Sequence, residues 1–500
     1  MIYNVNLGIG WASSGVEYAQ AYRAQLFRKQ KIEAKFIFME MIQSDNIIHF
    51  TRNIGFNDSE VLWLYQYFSD IPLGPTTVTM DDILAEWNHK SVRMENKGNS
   101  IRCYFEGDFF VSFYFAKGST ELVHRAEFVI KGNLIRKDFY SSQRVFSEFY
   151  TPVDGMAKVY QRRFYNLDGS TAYDEIIDGK NHSIFKFPHR ICYSYEEFVE
   201  YFIQSLQLTE SDVVIIDRAT TVGAPILRNH GKAKLMTVVH AEHYSADKMD
   251  DYYILWNNYY EYEFSHANHI DAFINSTDAQ TETLKQQFSK YTNHRPKVVT
   301  IPVGAIEKLN IPTQPRKKAS LITASRLASE KHIDWIIPAV VNAKKQIPEL
   351  SLDIYGTGGE EEKLRKLIEE NNAQEYIRLM GHHDLSEVYM NYEGYISAST
   401  SEGFGLTLLE AVASGLAMIG FDVPYGNPTF IQNGENGVLI TKSVLETVPQ
   451  TIEALTNAIV EVFEKDSLDS IHEVSYEKAS EYLSDKIALR WKQLIEEVLK

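Results

Sequence analysis

Apolar and polar positions along the chain follow two patterns, one typical of α/β domains and one typical of an antiparallel sheet. The chain opens with IYNVNLGIGWASSGVEYAQAYRAQLFRKQ, which predicts a short strand, a glycine-containing loop and an amphipathic helix, and EAKFIFM predicts a second strand. The α/β pattern returns with the predicted helix SYEEFVEYFIQSL and the apolar strands DVVIID, KLMTVV, IDAFINST and KVVTIPV. We therefore expect a first, discontinuous Rossmann-like domain over residues 1–44 and 196–315.

Between these two parts the pattern changes to short runs of aromatic and β-branched residues. They are broken at Glu106-Gly107-Asp108, Asp154-Gly155, Asp168-Gly169 and Asp178-Gly179. Asp-Gly pairs favour tight hairpin turns between antiparallel strands. The pattern predicts an inserted antiparallel β-meander, an add-on domain over residues 45–195.

A second α/β series follows IPTQPRKK, which has the prolines and basic residues of a linker. The strands ASLITAS, LSLDIYG, YIRLMG, GYISAS and LAMIGFD alternate with helices such as EEKLRKLIEENN and LTLLEAVAS. We expect a second doubly wound domain over 316–480, facing the first across a cleft. The last stretch, 481–500, predicts a terminal helix that packs back on the N-terminal domain.

Composition narrows the class of protein. The 500 residues are 44% hydrophobic and 23% charged, which is typical of folded globular chains. The net charge of -17 argues against a general nucleic-acid or anionic-membrane surface. Cys103 and Cys192 are the only cysteines, too few for a disulfide framework or a four-thiolate zinc site. The start lacks the features of a signal peptide, and no run of about 18 apolar residues is present. We expect a cytoplasmic protein.

Glycines mark the first candidate phosphate site. GIGWASSGVEY places them where a strand meets a helix, so backbone amides and the helix N-terminus could hold a phosphate. The stretch is neither a complete G-x-G-x-x-G nor a Walker loop. A tight turn without a ligand stays an equal alternative.

Two strand ends of the second series carry further candidates. ASRLASEKHID supplies Arg326 and Lys331. The planar guanidinium of arginine can make two parallel hydrogen bonds to a phosphate, and the compact ammonium of lysine binds one by charge, so both residues suit a diphosphate. A solvated helix start is the alternative. In IYGTGGEEEKL, glycines 356, 358 and 359 permit close backbone approach or form a plain turn.

Histidines follow two predicted strands. His382 and His383 are adjacent, so their side chains point apart, and nucleotide contact or surface exposure explains them better than metal binding. His240 and His243 lack the third ligand and the H-E-x-x-H pattern of a zinc site. We expect His240 to contact a sugar hydroxyl or developing charge, with a structural histidine as the alternative.

Two carboxylates lie in STSEGFGLTLLEA, with Glu410 about two helical turns after Glu402. Ionised carboxylates accept hydrogen bonds from hydroxyls, so the pair suits a polyhydroxy ligand, one acid for a sugar and one for a ribose. The backbone amides of Gly403, Phe404 and Gly405 could add contacts to an anion.

These residues resemble the C-terminal motifs of retaining glycosyltransferases of GT-B fold, which carry S-R-L…E-K and E-x7-E with G-F-G inside it. The match covers 320–440, including NGENGVLI. The resemblance implies that Arg326 and Lys331 hold the nucleotide diphosphate, that Glu402 contacts the donor sugar and that Glu410 contacts the ribose.

Longer stretches, including VIKGNLIRKDFY, VVHAEHYS, YILWNNYYEYEF and GFDVPYGN, are similar to the GtfA family. These are catalytic subunits that begin O-glycosylation of serine-rich repeat adhesins in the accessory secretion (accessory Sec) system of Gram-positive bacteria. The resemblance implies UDP-N-acetylglucosamine as donor, Ser and Thr hydroxyls as acceptor, a homologous GtfB-like partner and peripheral membrane association of the complex.

The same resemblance assigns the remaining site residues. Gly15, Val16, Glu17 and Tyr18 are expected to border the uridine diphosphate, His240 to touch the sugar, and His382 with His383 to flank the nucleotide. We expect His240, Arg326, Lys331 and Glu402 to be the catalytic groups.

We expect transfer with retention of configuration, in which Arg326 and Lys331 stabilise the charge on the leaving UDP and the leaving phosphate takes the acceptor proton. The chain has no D-x-D motif, so neither a metal nor another cofactor is expected. Three alternatives stay open: UDP-glucose as donor, a teichoic-acid acceptor, and a non-catalytic subunit that binds the adhesin.

Overall fold

The computed structural model of the protein describes residues 1–11, 13–87, 91–179, 182–441, 443 and 446–500. The chain forms two compact units. The first contains Met1–Thr237, Glu261–Ile270 and Leu499–Lys500, and the second contains Val238–Tyr260 and Asp271–Val498. The predicted domain boundaries, and the packing predicted for the terminal helix, stay predictions.

The strands, numbered in chain order, are β1 (Ile2–Asn6), β2 (Ala34–Phe38), β3 (Val61–Trp63), β4 (Arg93–Asn96), β5 (Ser100–Phe105), β6 (Phe109–Phe115), β7 (Val123–Ile130), β8 (Asn133–Tyr140), β9 (Arg144–Val153), β10 (Met156–Tyr165), β11 (Thr171–Ile177), β12 (Ser183–Lys186), β13 (Ile191–Cys192), β14 (Val213–Ile216), β15 (Lys234–Val239), β16 (Tyr244–Met249), β17 (Ile254–Trp256), β18 (Ala272–Asn275), β19 (Val298–Thr300), β20 (Ser320–Ala324), β21 (Ser351–Tyr355), β22 (Ile377–Gly381), β23 (Gly394–Ser397), β24 (Ala417–Phe421) and β25 (Gly437–Ile440).

The α-helices are α1 (Gly15–Lys29), α2 (Ile47–Asn53), α3 (Met80–Trp87), α4 (Tyr195–Ser205), α5 (Gly223–Asn229), α6 (Glu261–Ser265), α7 (Asp278–Tyr291), α8 (Ile333–Ala343), α9 (Glu361–Glu370), α10 (Leu406–Ala413), α11 (Gly426–Phe430), α12 (Val448–Phe463), α13 (Asp469–Ser480) and α14 (Ser484–Val498). Short 3-10 turns occur at Asp58–Glu60, Ala267–His269, Ser329–Lys331 and Tyr389–Asn391.

The first unit contains a parallel sheet in which β3, β2, β1, β14 and β15 are neighbours in that order. Ile2 of β1 pairs with Ala34 on one side and with Val213 on the other. Because β1 and β2 run parallel, the chain must cross over between them, and α1 makes that crossover. The helix begins with a capping box formed by Ser14 and Glu17. The βαβ opening predicted from the sequence is confirmed.

A ten-stranded antiparallel sheet also belongs to the first unit, and each strand from β4 to β13 pairs with its neighbours in the chain. Asp154 and Gly155, which connect β9 and β10, have φ angles of 52° and 76°. Two successive positive φ angles are those of a type I′ hairpin turn, which Asp-Gly adopts readily. Aromatic rings cross the sheet with centroid separations of 4.2, 5.2 and 4.5 Å, from Phe139 through Phe146 and Phe164 to Tyr173. The predicted meander is confirmed.

The second unit contains a six-stranded parallel sheet with the order β22, β21, β20, β23, β24, β25. Every residue of β20, β21, β23 and β24 is buried, because helices cover both faces of the sheet. From β20 the chain moves outward through β21 and β22, and then returns to the other side of β20 as β23. Such a reversal of strand order is a topological switch point, where the loops that follow two neighbouring strands diverge and leave a crevice.

The second unit also holds the antiparallel pair β16 and β17 and the parallel pair β18 and β19, with α7 connecting the latter. In the described part of the chain, no helix has the length and apolar character needed to cross a membrane.

Candidate active site

The switch point of the six-stranded sheet brings together the loops that follow β20 and β23. Lys331 ends the first loop and Glu402 lies in the second. Lys331 Nζ donates a hydrogen bond of 2.7 Å to Glu402 Oε2, and the two side chains are 17% and 22% exposed. The pair is open enough for a ligand to reach, so a phosphate or hydroxyl can compete for either charge.

Arg326 is not brought to this ion pair. Its side chain is 74% exposed, and its guanidinium donates at 3.0 Å to Glu330, four residues further along the chain. An exposed ion pair of this kind contributes little to stability. The guanidinium is therefore available to bind a ligand anion.

Glycines after β21 let two loops lie side by side. A Cβ on Gly356 would lie 1.9 Å from Ser325 O, and one on Gly358 would lie 2.4 Å from Leu327 O. In the same stretch Ser325 N donates to Tyr355 O at 3.1 Å, so the strand pairing of β20 and β21 continues into their loops. Within the protein these glycines serve backbone packing, whereas a Cβ on Gly359 would meet nothing within 4 Å.

The G-F-G stretch forms the bend into α10. Gly405 has a φ angle of 86°, which a side chain would disfavour, and it precedes the first helical residue. Phe404 is 4% exposed and its ring packs against Phe430 and Tyr482. A buried aromatic between two glycines thus anchors the loop that presents Glu402.

Glu410 lies on α10 in a densely packed environment. Tyr389 Oη donates to Glu410 Oε2 at 3.1 Å. Burial raises the pKa of Glu410 to about 7, against an ordinary value of 4.5, and the hydrogen bond from Tyr389 opposes that rise. Because its pKa lies near 7, the Glu410 carboxyl is partly protonated at neutral pH. It can accept a hydrogen bond from a ligand hydroxyl at a lower desolvation cost than a fully charged carboxylate.

His382 and His383 follow β22 and are exposed. The ring of His383 meets the ring of Tyr355 edge to face, with centroids 5.8 Å apart. Tyr355 Oη contacts Tyr392 Oη at 3.1 Å, and Tyr392 in turn donates to Asp353 at 2.6 Å. The His383 ring therefore packs against a tyrosine that buried hydrogen bonds hold in place.

The segment that follows β15 lies against the loop of Glu402. A Cβ on Gly403 would lie 2.6 Å from the carbonyl oxygen of His240. The amides of His240 and Ala241 both donate to Tyr260 Oη, at 3.0 and 2.9 Å. The structure thus brings the backbone of His240 next to the G-F-G loop.

His243, in contrast, is a structural histidine. The ring is fully buried, and Nε2 lies 2.7 Å from Gln287 Oε1. Burial lowers the pKa of His243 to about 4, which keeps the ring neutral. Among the described residues no group of three or more His, Cys, Asp or Glu side chains is arranged to hold a metal ion.

Three polar side chains near Glu402 were missed in the sequence. Ser401 Oγ donates to Glu242 Oε2 at 3.5 Å, and burial raises the pKa of Glu242 above its ordinary value. The hydroxyl of Tyr425 is buried and has no hydrogen-bond partner in the described part of the chain. Tyr425 N donates to Glu402 O at 2.6 Å, which holds the backbone of Tyr425 beside the loop. Glu242 stood two positions after His240, yet nothing in the sequence distinguished it from a surface acid.

The four N-terminal candidates lie at the start of α1 in the first unit. Gly15 is exposed, with open space where a Cβ would stand, Val16 is partly buried and Tyr18 is 37% exposed. Glu17 is buried: its carboxylate accepts from Ser14 N at 2.6 Å and from Asn6 Nδ2 at 3.1 Å. Glu17 therefore shapes the loop, while Gly15 and Tyr18 offer accessible surface.

A buried polar network lies beneath this loop. Arg23 donates two hydrogen bonds to Asp217, at 2.7 and 2.8 Å, and Gln20 Nε2 donates to the same carboxylate at 2.7 Å. Arg23 is 2% exposed, so the ion pair is shielded from water. These buried hydrogen bonds from α1 to Asp217 fix the position of α1 against the end of β14.

Comparisons with known proteins found similar families and similar whole chains. Two family models match, the GtfA extended beta-sheet domain over residues 93–189 and Glycosyl transferases group 1 over residues 306–472. The chain is 51% identical over 499 residues to the UDP-N-acetylglucosamine--peptide N-acetylglucosaminyltransferase GtfA subunit of Streptococcus pneumoniae, and the match covers 100% of this chain and 99% of that protein.

Two solved structures are similar over the whole chain. One is the pneumococcal O-GlcNAc transferase GtfA in complex with UDP and GlcNAc, with a TM-score of 0.95, 51% identity and coverage of 100% of this chain and 99% of that one. The other is a GtfA/B complex, with the same TM-score, identity and coverage.

Proposed function

The chain belongs to the family of UDP-N-acetylglucosamine--peptide N-acetylglucosaminyltransferase GtfA subunits, and from this premise we propose that it transfers N-acetylglucosamine from UDP-N-acetylglucosamine to Ser and Thr hydroxyls of a serine-rich repeat protein, as the first step of its O-glycosylation. The predicted fold class is confirmed as well: the chain has the GT-B glycosyltransferase fold, with parallel sheets and an antiparallel sheet domain.

The observation that carries the proposal is the ion pair of Lys331 and Glu402 at the switch point of the six-stranded sheet. Loss of UDP from the sugar places negative charge on the β-phosphate while the sugar carbon C1 becomes cation-like. Lys331 stabilises the phosphate charge, and Glu402 faces the sugar. A preformed pair of opposite charges matches the charge separation that develops in this reaction.

The other groups bind and orient the substrates. Arg326, with its guanidinium exposed, adds charge to the diphosphate site, and His240 contacts the sugar beside Gly403. Glu410 accepts from the ribose hydroxyls, and His383 on its tyrosine support flanks the nucleotide. The exposed start of α1 at Gly15 and Tyr18 borders the diphosphate.

Transfer proceeds with retention of configuration and without a metal ion. The acceptor oxygen forms its bond to C1 as the bond from C1 to the phosphate breaks, and the phosphate oxygen takes the hydroxyl proton. Lysine and arginine charges take the place that a divalent cation holds in other transferases. Transfer that stops when a chelator is added to the purified protein, and returns with a divalent metal, would contradict the metal-free reaction.

We propose further that the protein works in a hetero-oligomer with a homologous GtfB-like subunit, as in the similar GtfA/B complex. The reaction takes place in the cytoplasm, with the complex bound peripherally at the inner face of the cell membrane. Copurification of the tagged chain with its partner, and fractionation of cells into cytosol and membrane, test both statements.

Mass spectrometry of a serine-rich repeat fragment tests the function. The fragment is incubated with the protein and its partner and with either UDP-N-acetylglucosamine or UDP-glucose, and a polyol-phosphate polymer serves as the competing acceptor. We expect a gain of N-acetylhexosamine on serine and threonine of the peptide, and no gain with Glu402→Ala. The matched control is Glu282→Gln, an exposed acid on α7 that pairs only with the exposed Lys285 in the described part of the chain.

Other results of this experiment would indicate a different function. A gain of hexose from UDP-glucose would change the donor, and modification of the polyol-phosphate alone would change the acceptor class. Binding of the peptide without turnover of either donor would indicate a non-catalytic, adhesin-binding subunit.

A further inference from the structure

Glu242 lies next to the candidate active site, but the fold makes little use of its carboxylate. Among the described residues the carboxylate makes one hydrogen bond, at 3.5 Å from Ser401 Oγ, and no ion pair. Its neighbour in sequence, His243, is neutral because burial lowers the pKa of that ring to about 4. A half-buried carboxylate without a positive partner is costly, and a ligand that donates a hydrogen bond to it would offset that cost.

The backbone around Glu242 is held by side chains from several elements. Asn257 Nδ2 donates to Glu242 O at 3.0 Å, and Gln280 Nε2 donates to Ala241 O at 2.8 Å. Tyr260 Oη accepts from the amide of Ala241 at 2.9 Å. These three hydrogen bonds hold the segment in one position, which is the support that a binding residue needs.

The groups around the carboxylate fit a hydroxyl. The buried hydroxyl of Tyr425 has no hydrogen-bond partner in the described part of the chain, and the Tyr425 ring lies 6.1 Å, centroid to centroid, from the ring of His243, the residue after Glu242. An alcohol can donate to the carboxylate while it accepts from the phenol of Tyr425, and Ser401 Oγ keeps its own hydrogen bond to Glu242. A ligand hydroxyl matches both groups, because the carboxylate offers only acceptors and the phenol offers a donor.

Resting on the proposed function, we propose that Glu242, with Ser401 and Tyr425, binds the acceptor Ser or Thr hydroxyl and orients its oxygen toward C1 of the donor sugar. The hydroxyl donates to Glu242 as the peptide binds. During transfer the new bond from the acceptor oxygen to C1 forms, the bond from C1 to the β-phosphate oxygen breaks with its electron pair on UDP, and the proton passes to that phosphate oxygen. Glu242 is unchanged at the end.

The test separates acceptor use from donor use. Transfer to the serine-rich peptide and hydrolysis of UDP-N-acetylglucosamine without peptide are measured in the presence of the partner subunit for the wild type, Glu242→Ala, Glu242→Gln and Ser401→Ala. We expect Glu242→Ala to lower kcat/KM for the peptide about 10- to 100-fold, the effect of losing a hydrogen bond to a charged group. The KM for the donor and the hydrolysis rate should stay within about twofold of the wild type. Glu242→Gln, which keeps an acceptor oxygen and the same shape, should lose less than the alanine variant.

Two results would overturn the role of Glu242. If hydrolysis fell in step with transfer, the carboxylate would bind a hydroxyl of the donor sugar or support the fold. If the peptide kinetics of both Glu242 variants matched those of Glu282→Gln, the carboxylate would have no part in the reaction. A wild type that turns over neither peptide nor donor would instead contradict the proposed function itself. The wild-type and variant measurements together therefore distinguish a wrong role for Glu242 from a wrong function for the protein.

Discussion

A methyl group added at Gly403 tests whether the G-F-G loop and the segment of His240 must lie in contact. The Cβ of Gly403→Ala would stand 2.6 Å from His240 O and 3.7 Å from Ala241 Cα. Carbon and carbonyl oxygen atoms normally approach no closer than about 3.3 Å, so the two segments must separate by about 0.7 Å.

Neither segment can move freely. Glu402 O accepts from the amides of Tyr425 and Gly426 at 2.6 and 2.7 Å, and Tyr260 Oη accepts from the amide of His240 at 3.0 Å. Overpacking of this kind costs about 1 to 3 kcal/mol of stability. A misplacement of about 1 Å at a reacting centre can cost about 100-fold in rate, so we expect kcat for peptide transfer to fall by about 10- to 100-fold.

Steady-state transfer kinetics and denaturant unfolding measure the two effects. Gly74→Ala is the matched control, because a Cβ on Gly74 meets nothing within 4 Å and its backbone has no positive φ. If Gly403→Ala kept a kcat within about twofold of the control and the same free energy of unfolding, the argument that the two segments are held in contact would be refuted.

Three further predictions concern charged groups. Glu402→Gln removes the charge that faces Lys331 and should lower kcat at least about 100-fold while UDP binding, measured by calorimetry, changes little; an unchanged kcat would contradict the role given to the pair. Burial raises the pKa of Glu410 to about 7 from 4.5, so the stability gained by protonation in the folded state is present at about pH 4.5 and lost as the pH rises through 7. Glu410→Gln should therefore lose about 2 kcal/mol less stability than the wild type between about pH 5 and pH 8 in urea unfolding, and parallel pH profiles would count against this burial effect. Asp217→Asn leaves the buried charge of Arg23 without its carboxylate and should destabilise the protein by about 3 to 5 kcal/mol in thermal unfolding, whereas a loss below about 1 kcal/mol would mean that the site takes up water.

Local patterns in the sequence determined the elements and much of the candidate chemistry. The strand, loop and helix at the start of the chain were predicted from periodicity, and the Asp154-Gly155 turn from its residue types, because backbone preferences and alternation act over a few neighbouring residues. The motif around Glu402 was visible for the same reason: glycines and acids at fixed spacing on one loop and helix are a local feature.

Only the tertiary structure decided which of these residues meet. Lys331 and Glu402 are 71 residues apart, and Glu242 and Ser401 are 159 residues apart. The first pair meets because β23 returns to lie beside β20, a strand order that periodicity does not encode. The second meets because the segment after β15 packs against the loop after β23, where a Cβ on Gly403 would lie 2.6 Å from His240 O.

The tertiary structure also decided the protonation of two side chains. The sequence shows Glu410 and His243 as ordinary titrating side chains, and their pKa values of about 7 and about 4 follow from the atoms that exclude water around them. The carboxylate of Glu17, a residue expected to border the uridine diphosphate, forms the capping box of α1 with Ser14, and its contact with the ligand stays a prediction. Residue types and spacing thus determined which chemistry the chain can offer, and packing determined where each charge stands and how much of it is exposed, since desolvation depends on neighbours that lie far away in the sequence.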